Sequence, residues 1–371
     1  MKSIVIVNQT VGYLTIDVAN AFKEQYDDVV LISGNISDIS RLDKKIRIHR
    51  ITKYNRNSII KRLFTWIVAT IQITFALMFK YRKGEICFFT NPPSSYFSAL
   101  LMGKRHYRIV VYDLFPDSLN VINISKDNYI YKLWSRINCT VFGNATKIVT
   151  LSNTMKDGVS QYVDKSRIEI IPNWASREYC HIDRQKNPFL INNGWNDKFI
   201  VLYSGNLGFD YNMDVLICVA DKLKTYKEIH FVIIGEGGKK QLMIEKAQRL
   251  KLSNVSFLPY QPTEQLNSIF TGAGISVVAL GDNPLDVSMP SKTYDLIAAK
   301  SPLLCIAGKY SELAAFVKEH KNGMCFEKTE IEEMSNFILH CFNDKNYRSF
   351  LSDNSFESSL LFTKANAKKY V

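Results

Sequence analysis

The stretch from Asp282 to Ala307 (DNPLDVSMPSKTYDLIAAKSPLLCIA) combines residue types that suit the binding of a phosphorylated ligand. Pro290 is typical of the first turn of a helix, so Ser291 and Lys292 are expected beside a helix N-terminus. Backbone N–H groups there, together with the Lys292 ammonium, can hold a diphosphate. Asp295, one turn further on, can accept hydrogen bonds from the two hydroxyls of a ribose. The alternative is an N-terminal capping cluster on a surface helix, and the local pattern does not decide between the two.

Two glycine-rich turns favour the same chemistry. Gly205-Asn206-Leu207-Gly208 follows the apolar run Phe199–Ser204, and Gly235-Glu236-Gly237-Gly238 follows His230–Ile234. Glycine lets backbone N–H groups approach a phosphate closely. Tight turns need glycine in any case, so these turns by themselves indicate an α/β protein that is compatible with phosphate binding.

Motifs of several other enzyme classes are missing from the sequence. No GxGxxG follows the first strand of a βαβ unit, no GxxxxGK[ST] occurs, and GxSxG is absent, which argues against dinucleotide binding, a P-loop NTPase and a serine hydrolase. The seven cysteines and six histidines show no metal-ligand spacing, so we expect no metal, no bound cofactor and a reducing cytoplasm. The N-terminal MKSIVIVNQT enters a strand directly, so no cleavable signal peptide is expected.

Short β-branched apolar runs alternate with helical patterns along both halves of the chain, which predicts parallel sheets covered by helices on both faces. The pattern ends near Pro172 and restarts at Phe199 after a polar stretch. We therefore predict an α/β protein with two Rossmann-like doubly wound domains, residues 1–172 and 173–354, and a C-terminal helix over about 355–371 that packs back on the first. A ligand is expected in the crevice between them, beyond the carboxyl ends of the strands.

The charge of the chain is unevenly distributed. Residues 1–175 hold 24 basic and 13 acidic residues, whereas residues 176–371 hold 23 and 22, out of a net charge of +12. A basic first half indicates an acidic partner such as anionic lipid or a phosphorylated substrate, although a solubilising surface is the simpler explanation. Nucleic acid is disfavoured because no zinc, RNA-binding or helix-turn-helix signature accompanies the charge.

One segment, Leu63–Phe79 (LFTWIVATIQITFALMF), contains no charged residue and is flanked by basic residues on both sides. It is shorter than the roughly 20 apolar residues of a membrane span. Three hypotheses stay open: a core helix of the first domain, a helix dipping into a membrane surface, and a true membrane span; the first two are compatible with each other. A helical wheel separates two faces. One carries Arg62, Thr65, Ala69, Gln72, Ala76 and Lys80; the other carries Phe64, Ile67, Val68, Ile71, Phe75 and Met78.

Taken together, these motifs resemble those of retaining glycosyltransferase family 4, and the likeness extends over nearly the whole chain. The matching segments in the second half are Tyr203–Gly208, Ile233–Gly237, Asn254–Tyr260 and Pro290–Asp295. The PSKxYD form, with Asp113-Leu114-Phe115-Pro116-Asp117 and Ile171-Pro172-Asn173-Trp174, resembles the branch that builds bacterial O-antigen, capsule and colanic-acid units. Asn91-Pro92-Pro93 after a basic apolar helix also fits that branch.

The resemblance implies a GT-B fold and a set of site residues. Asp295 matches the second acid of the E-x7-E motif, which binds ribose, and Lys292 becomes the main phosphate cation. Asp113 matches a residue beside the reacting sugar. The other donor-side positions are Gly12, Gly205, Asn206, Gly208, Gly235, Glu236, Tyr260, Pro290, Ser291 and Thr293. The acceptor or membrane side is assigned to Asn91, Pro92, Pro93 and Trp66.

Two positions depart from the family pattern. The first acid of E-x7-E would fall at Val287, where only Asp286 is nearby, and this puts the identity of the donor sugar in doubt. Phe209 stands where many members have an arginine.

The expected function is retaining transfer of a sugar from a nucleoside diphosphate sugar, UDP in preference to GDP, to a polyprenyl-diphosphate-linked saccharide. The protein is expected in the cytoplasm, peripheral on the inner face of the membrane. Two alternatives stay open. One is a sugar-nucleotide 2-epimerase of the same fold, and the other is a catalytically degenerate, membrane-docking assembly subunit.

Overall fold

A computed structural model describes residues 2–55, 57–118, 126–209, 211–281 and 289–371. The chain forms two compact units. Unit 1 comprises Met1–Asn173 and Lys364–Val371, and unit 2 comprises Trp174–Thr363. Each unit is an α/β structure built on a parallel sheet, which confirms the predicted fold class.

Unit 1 contains a seven-stranded parallel sheet in the order β5-β3-β1-β6-β7-β8-β9, and a separate short parallel pair, β2-β4. The inner strands are apolar and buried on both faces, as expected for a sheet covered by helices. The strands are β1 Ser3–Val7, β2 Thr10–Val11, β3 Asp28–Ser33, β4 Asn35–Ile36, β5 Arg47–Arg50, β6 Glu85–Phe89, β7 Tyr107–Val111, β8 Lys147–Thr150 and β9 Ile168–Ile170.

The helices of unit 1 are α1 Tyr13–Gln25, α2 Ile59–Phe75 with a π-helical end Ala76–Lys80, α3 Tyr129–Asn144 and α4 Asn153–Val159; a 3-10 helix, Ser95–Leu101, follows β6. Helices α2, α3 and α4 begin at side chains that cap them, whereas α1 begins at Gly12 without a side-chain cap. Ser58, for example, accepts a hydrogen bond from the backbone N–H of Lys61 at the start of the long apolar helix.

Helix α2 packs one side against unit 1 and leaves most of its large apolar side chains exposed. Thr65, Ala69 and Ile73 are buried, and the side-chain amide of Gln9 donates to the backbone carbonyl of Thr65 at 3.1 Å. The core-helix hypothesis expects the large apolar face to be buried, whereas Phe64 on that face is exposed. The structure corrects this expectation, because small residues allow the helix to lie close enough for Gln9 to reach its backbone.

Unit 2 contains a six-stranded parallel sheet in the order β12-β11-β10-β13-β14-β15. Successive residues of β10 enter different cores on the two faces of the sheet: Val201 belongs to one cluster, and Ile200 and Leu202 to the other. The strands are β10 Phe199–Ser204, β11 Ile229–Ile234, β12 Val255–Leu258, β13 Ile275–Ala279, β14 Leu303–Ile306 and β15 Gly323–Phe326. The helices are α5 Pro188–Asn193, α6 Val215–Lys222, α7 Lys240–Arg249, α8 Leu266–Thr271, α9 Lys292–Ala298, α10 Glu312–His320, α11 Ile331–Asn343 and α12 Lys345–Ser359.

The C-terminal return to unit 1 is shorter than the predicted segment of about 355–371. Helix α12 stays in unit 2, where the Ser355 hydroxyl donates to the carbonyl of Ser301 at 2.8 Å. The return is a 3-10 helix, Lys364–Tyr370, in which Tyr370 is buried. The polar residues near the end of α12 are therefore anchors to unit 2, which the periodicity of the helix does not reveal.

Candidate active site

The sheet order of unit 2 brings the predicted donor-side loops to one edge. Parallel strands end at the same edge of a sheet, and β12, β11 and β10 are consecutive neighbours. Tyr260 follows β12, Gly235 follows β11, and Gly205 follows β10. This is the edge at which open α/β sheets bind their ligands.

The two glycine turns pack directly against each other. The N–H of Gly205 donates to Ile234 at 2.9 Å, and the N–H of Leu207 donates to the carbonyl of Glu236 at 2.8 Å. Gly235 has φ +150°, and a Cβ there would overlap the carbonyl oxygen of Gly205. Glycine is needed at this position because the two backbones are in contact. This requirement is independent of phosphate binding.

Lys292 begins helix α9 and extends towards the end of β10. Its ammonium lies 3.9 Å from the centroid of the Tyr203 ring and 3.1 Å from the position that a Cβ on Gly205 would occupy. Burial lowers the pKa of Lys292 to about 7. Tyr203 is held in place because its hydroxyl donates to the carbonyl of Asn206 at 2.7 Å. The structure thus brings Lys292 to the first glycine turn, where its ammonium faces the aromatic ring of Tyr203.

Asp295, one turn further along α9, is tied to the start of unit 2. Its Oδ1 accepts hydrogen bonds from the backbone N–H of Ser176 at 2.7 Å and from the Ser176 hydroxyl at 2.9 Å. Burial raises the pKa of Asp295, although the hydrogen bonds from Ser176 act in the opposite direction. The ring of Tyr179 lies nearby, and burial together with the Asp295 charge raises the pKa of its phenol. Asp295 therefore has a structural bond on one oxygen in addition to any contact with a ligand.

The residues around Lys292 differ in accessibility. Ser291 is exposed, and Pro290 is half-buried and accepts a hydrogen bond from the backbone N–H of Thr293 at 2.9 Å. Thr293 is fully buried, and its hydroxyl has no hydrogen-bond partner among the described residues. Asp286 and Val287, where the family's first acid is in question, lie outside the described residues.

Two further predicted donor-side residues reach solvent. The carboxylate of Glu236 accepts a hydrogen bond from Lys240 at 2.7 Å, and Tyr260 is exposed. Gly208 ends the first turn, and an added Cβ would lie 3.1 Å from the side-chain nitrogen of Asn206. An exposed tyrosine beside the sheet edge has the form of a stacking surface for a planar base.

In unit 1, the ends of three neighbouring strands are linked to one another. The backbone N–H of Gln9, after β1, donates to the carbonyl of Asn91, after β6, at 2.6 Å. The Thr90 hydroxyl accepts a hydrogen bond from the backbone N–H of Asp113, after β7, at 3.1 Å. Gly12 precedes α1 as its N-cap. Asp113 is exposed, so its carboxylate is presented at the edge of this sheet.

Trp66 lies in an aromatic cluster near the Asp113 loop. Its ring stacks on Tyr54 with centroids 5.7 Å apart and contacts the edge of Phe115 at 5.8 Å. Its indole N–H is buried and has no hydrogen-bond partner among the described residues. Pro92 and Pro93 are buried beside the start of the 3-10 helix. Trp66 thus faces its own unit, unlike the apolar residues on the outer face of α2.

Thr90 and Ser176 were missed by the sequence analysis, and Tyr203 was included only as part of a matching segment, without a role. Thr90 and Tyr203 are at or next to the last residue of a strand, a position that signals a role in shaping the following loop. Ser176 has no comparable signal, because its partner Asp295 is distant along the chain. Within the part of the chain that the structure describes, no group of three or more His, Cys, Asp or Glu residues is arranged to hold a metal.

Comparisons with known proteins place part of the chain in a known family. Residues 186–358 match the family model described as glycosyl transferases group 1. The probable glycosyltransferase WbjE of Pseudomonas aeruginosa is 22% identical over 71% of this chain and 68% of its own length. The putative colanic acid biosynthesis glycosyl transferase WcaI of Escherichia coli K12 is 25% identical over 52% of this chain, which spans 48% of WcaI.

A solved structure has the same architecture. HepE of Anabaena, in complex with UDP and glucose, is 12% identical and superposes with a TM-score of 0.72, covering 100% of this chain and 98% of HepE. At this identity the likeness establishes the fold. Residues 186–358 therefore form a glycosyl transferases group 1 domain, and the chain has the GT-B fold.

Proposed function

We propose that the chain transfers a sugar, with retention of configuration, from a nucleoside diphosphate sugar to a polyprenyl-diphosphate-linked saccharide in surface polysaccharide (O-antigen or capsule) synthesis. WcaI is named as a putative colanic acid biosynthesis glycosyl transferase, which supports a polysaccharide product. HepE was solved with UDP, which supports UDP in preference to GDP. The basic charge of residues 1–175 supports a lipid-linked acceptor, and we propose that the protein acts at the inner face of the cytoplasmic membrane, where such an acceptor would lie.

The observation that carries the proposal is the position of Lys292 within the glycosyl transferases group 1 domain. Its ammonium lies beside the first glycine turn and over Tyr203, with no carboxylate within salt-bridge distance among the described residues. An ammonium without a carboxylate partner in a desolvated site is suited to an anionic ligand. Asp295 is placed one turn along the same helix, where its second carboxylate oxygen, beside the Tyr179 hydroxyl, would accept ribose hydroxyls.

Transfer in this site would need little side-chain chemistry. The bond between the anomeric carbon and the diphosphate oxygen breaks, and its electron pair leaves with the diphosphate. Lys292 stabilises the charge that develops on this leaving group. The acceptor hydroxyl attacks the oxocarbenium-like sugar from the face that the diphosphate leaves, and its proton passes to a diphosphate oxygen. The exposed carboxylate of Asp113 is the side chain we assign to the region of the reacting sugar.

The first experiment is thermal unfolding of the full chain with UDP-, GDP- and TDP-sugars. A ligand that binds only the native state raises apparent stability by mass action. We expect a UDP-sugar to raise the unfolding temperature of the wild type, but not that of Lys292→Ala or Asp295→Ala. Lys224→Ala, which removes an exposed lysine after α6, is the matched control and should respond like the wild type. No shift with any nucleotide sugar would contradict the proposal.

A second measurement separates the proposed transfer from its two rivals. With the donor and a polyprenyl-diphosphate saccharide, the chain should release UDP only when the acceptor is present. Release of UDP and an altered free sugar without acceptor would indicate a sugar-nucleotide 2-epimerase. Polysaccharide assembly that survives both Lys292→Ala and Asp295→Ala would indicate a degenerate docking subunit.

A further inference from the structure

The outer side of helix α2 is a continuous apolar stripe that faces solvent. Its residues recur at spacings of three and four, so they lie on one side of the helix. The exposed fractions are Ile60 81%, Phe64 65%, Ile67 59%, Ile71 51%, Phe75 58% and Phe79 68%. At a rise of about 1.5 Å per residue, the stripe is roughly 30 Å long. Soluble monomers rarely expose contiguous apolar surface of this size without using it for binding.

The stripe continues onto the 3-10 helix that follows β6. Leu100 and Leu101 in this segment are also exposed. The hydroxyls of Thr70 in α2 and Ser94 at the start of the 3-10 helix lie 2.8 Å apart, and the Arg105 guanidinium donates to the carbonyl of Leu77 at 3.3 Å. These bonds fix the two helices side by side, and we call the six residues of the stripe together with Leu100 and Leu101 the apolar face.

Basic residues surround the apolar face. Between residues 44 and 112 the sequence contains one acidic residue, Glu85, and its carboxylate is paired with Arg108 at 3.0 Å. The exposed cations at the ends of α2 and beside the 3-10 helix are Lys61, Arg62, Lys80, Arg82, Lys83 and Lys104. Among the described residues between 44 and 112 the one acidic side chain is therefore paired, and an apolar surface with cations at its ends is complementary to an anionic lipid surface.

The geometry of α2 distinguishes a helix lying on a membrane from one that crosses it. Among the described residues, Ile59–Lys80 is long and apolar enough to span a membrane by length and composition, which for a single helix is weak evidence. The inner side of α2 is fixed to unit 1 along its length, with Gln9 bonded to the carbonyl of Thr65 and the N–H of Thr52 bonded to Gln72 at 2.7 Å. A helix held in this way along one side can bury only its other side in lipid.

We propose that the apolar face binds an anionic phospholipid bilayer, with α2 lying parallel to the membrane plane and its outer side chains inserted to a depth of about 5–10 Å. The basic border contacts the lipid headgroups. The proposal builds on the proposed function, in which the acceptor is lipid-linked, and identifies the part of unit 1 that meets the lipid.

Vesicle co-sedimentation of the full chain tests the proposal independently of catalysis. We expect binding to vesicles of phosphatidylcholine with phosphatidylglycerol, and much weaker binding to phosphatidylcholine alone. The double substitution Ile67→Ser and Ile71→Ser should lower the partition coefficient on the order of tenfold for each side chain removed. Lys61→Gln with Lys83→Gln should lower it roughly fivefold per lysine on anionic vesicles only. Phe350→Ser, at an exposed phenylalanine in α12, and Lys44→Gln with Lys45→Gln are the matched controls and should bind like the wild type.

Each alternative outcome overturns the proposal. Equal binding by the apolar-face variants and the wild type would show that another surface meets the lipid. A dimer in sedimentation velocity that the Ile67→Ser, Ile71→Ser variant dissociates would assign the face to a second copy of the chain. UDP-dependent thermal stabilisation, measured on every variant, confirms folding and separates the two proposals. A variant that loses vesicle binding but keeps UDP stabilisation still binds the donor, so the proposed function is unaffected. A variant that keeps vesicle binding but loses UDP stabilisation leaves the proposed lipid surface unaffected.

Discussion

The Lys292 ammonium lies against the face of the Tyr203 ring, 3.9 Å from its centroid. A cation over a desolvated aromatic face gains about 2 kcal/mol, which compensates only part of the cost of burying the charge. The pKa of about 7 reflects this imbalance. A diphosphate beside the ammonium would restore the missing counter-charge, so ligand binding and protonation of Lys292 are coupled.

This coupling predicts that UDP affinity falls as pH rises. The pKa of Lys292 in the free protein is about 7, so the ammonium is largely lost between about pH 7 and pH 9, a range in which the diphosphate itself is fully ionised. Losing a charge-assisted contact should weaken binding about tenfold to a hundredfold. Titration calorimetry at several pH values measures this, and calorimetry near pH 7 in buffers of different ionisation enthalpy should show proton uptake.

Lys292→Arg is the control for this prediction, because the guanidinium stays charged throughout the range. Between pH 7 and pH 9, the UDP affinity of Lys292→Arg should change no more than that of Lys292→Ala. The comparison concerns the pH dependence and not the absolute affinity of either variant. A pH dependence that persists in both variants would assign the titration to another group.

Asp295 can be both an anchor for Ser176 and a ligand for ribose, and Asp295→Asn separates these roles. The Asn side-chain oxygen can still accept both hydrogen bonds from Ser176. Burial raises the pKa of Asp295 in the folded state, so the protonated carboxyl stabilises the fold at low pH. This contribution is lost as the pH rises through the folded-state pKa, because burial penalises the ionised carboxylate. We therefore expect Asp295→Asn to unfold at neutral pH with a free energy equal to or above that of the wild type. UDP-sugar binding should weaken about tenfold or more, because a carboxylate is the stronger acceptor for hydroxyls.

Urea denaturation at neutral pH and binding calorimetry measure the two quantities separately. Ser176→Ala is the matched control: it removes one donor to the same oxygen and should cost about 1 kcal/mol of stability while retaining UDP binding. If Asp295→Asn binds the donor as well as the wild type, Asp295 is an anchor only.

At the scale of elements, the contact between the two glycine turns predicts a large difference between two glycine substitutions in unit 2. Gly235→Ala places a Cβ onto the carbonyl of Gly205, at a φ of +150° that side chains rarely adopt. It should lower the free energy of unfolding by about 3 kcal/mol or more, since the backbones must separate. Gly308→Ala, after β14, meets no atom within 4 Å and should change stability by less than about 1 kcal/mol. Equal, small effects in urea denaturation would show that the turns are not in contact.

The elements also show which features the sequence could predict. The ends of β10 and β11 and the loops after them are predictable, because a β-branched run followed by glycines indicates a buried strand that ends in a tight loop. The orientation of α2 is not predictable in this way. Its two faces are evident from periodicity, but which one meets the protein depends on Gln9, which reaches the Thr65 carbonyl from a distant strand end. The bond between Ser176 and Asp295 is equally unpredictable, since the two residues are distant along the chain and no local pattern links them. The roles assigned to the site residues stay predictions.

At the scale of the whole molecule, the last residues of the chain belong to the unit in which the chain began. Lys364 lies 3.4 Å from the buried carboxylate of Asp17, Lys368 pairs with Glu24 at 2.9 Å, and Tyr370 is buried. Burying a large side chain contributes about 1.5–3 kcal/mol, so this short segment supplies a meaningful part of the stability of unit 1. Unit 2 has its own two cores and does not contain these contacts.

Deletion of residues 364–371 should therefore destabilise unit 1 selectively. We expect peptides from α1 and β3 to lose protection in hydrogen exchange, while peptides from β10 and β11 keep theirs and still gain protection from UDP. Lys364→Ala serves as the control, because it removes one exposed partner of Asp17 but leaves Tyr370 in place, and its effect should be below about 1 kcal/mol. Selective loss would mean that the chain folds as two units joined twice, whereas equal loss of protection in both units would mean that they unfold as one cooperative body.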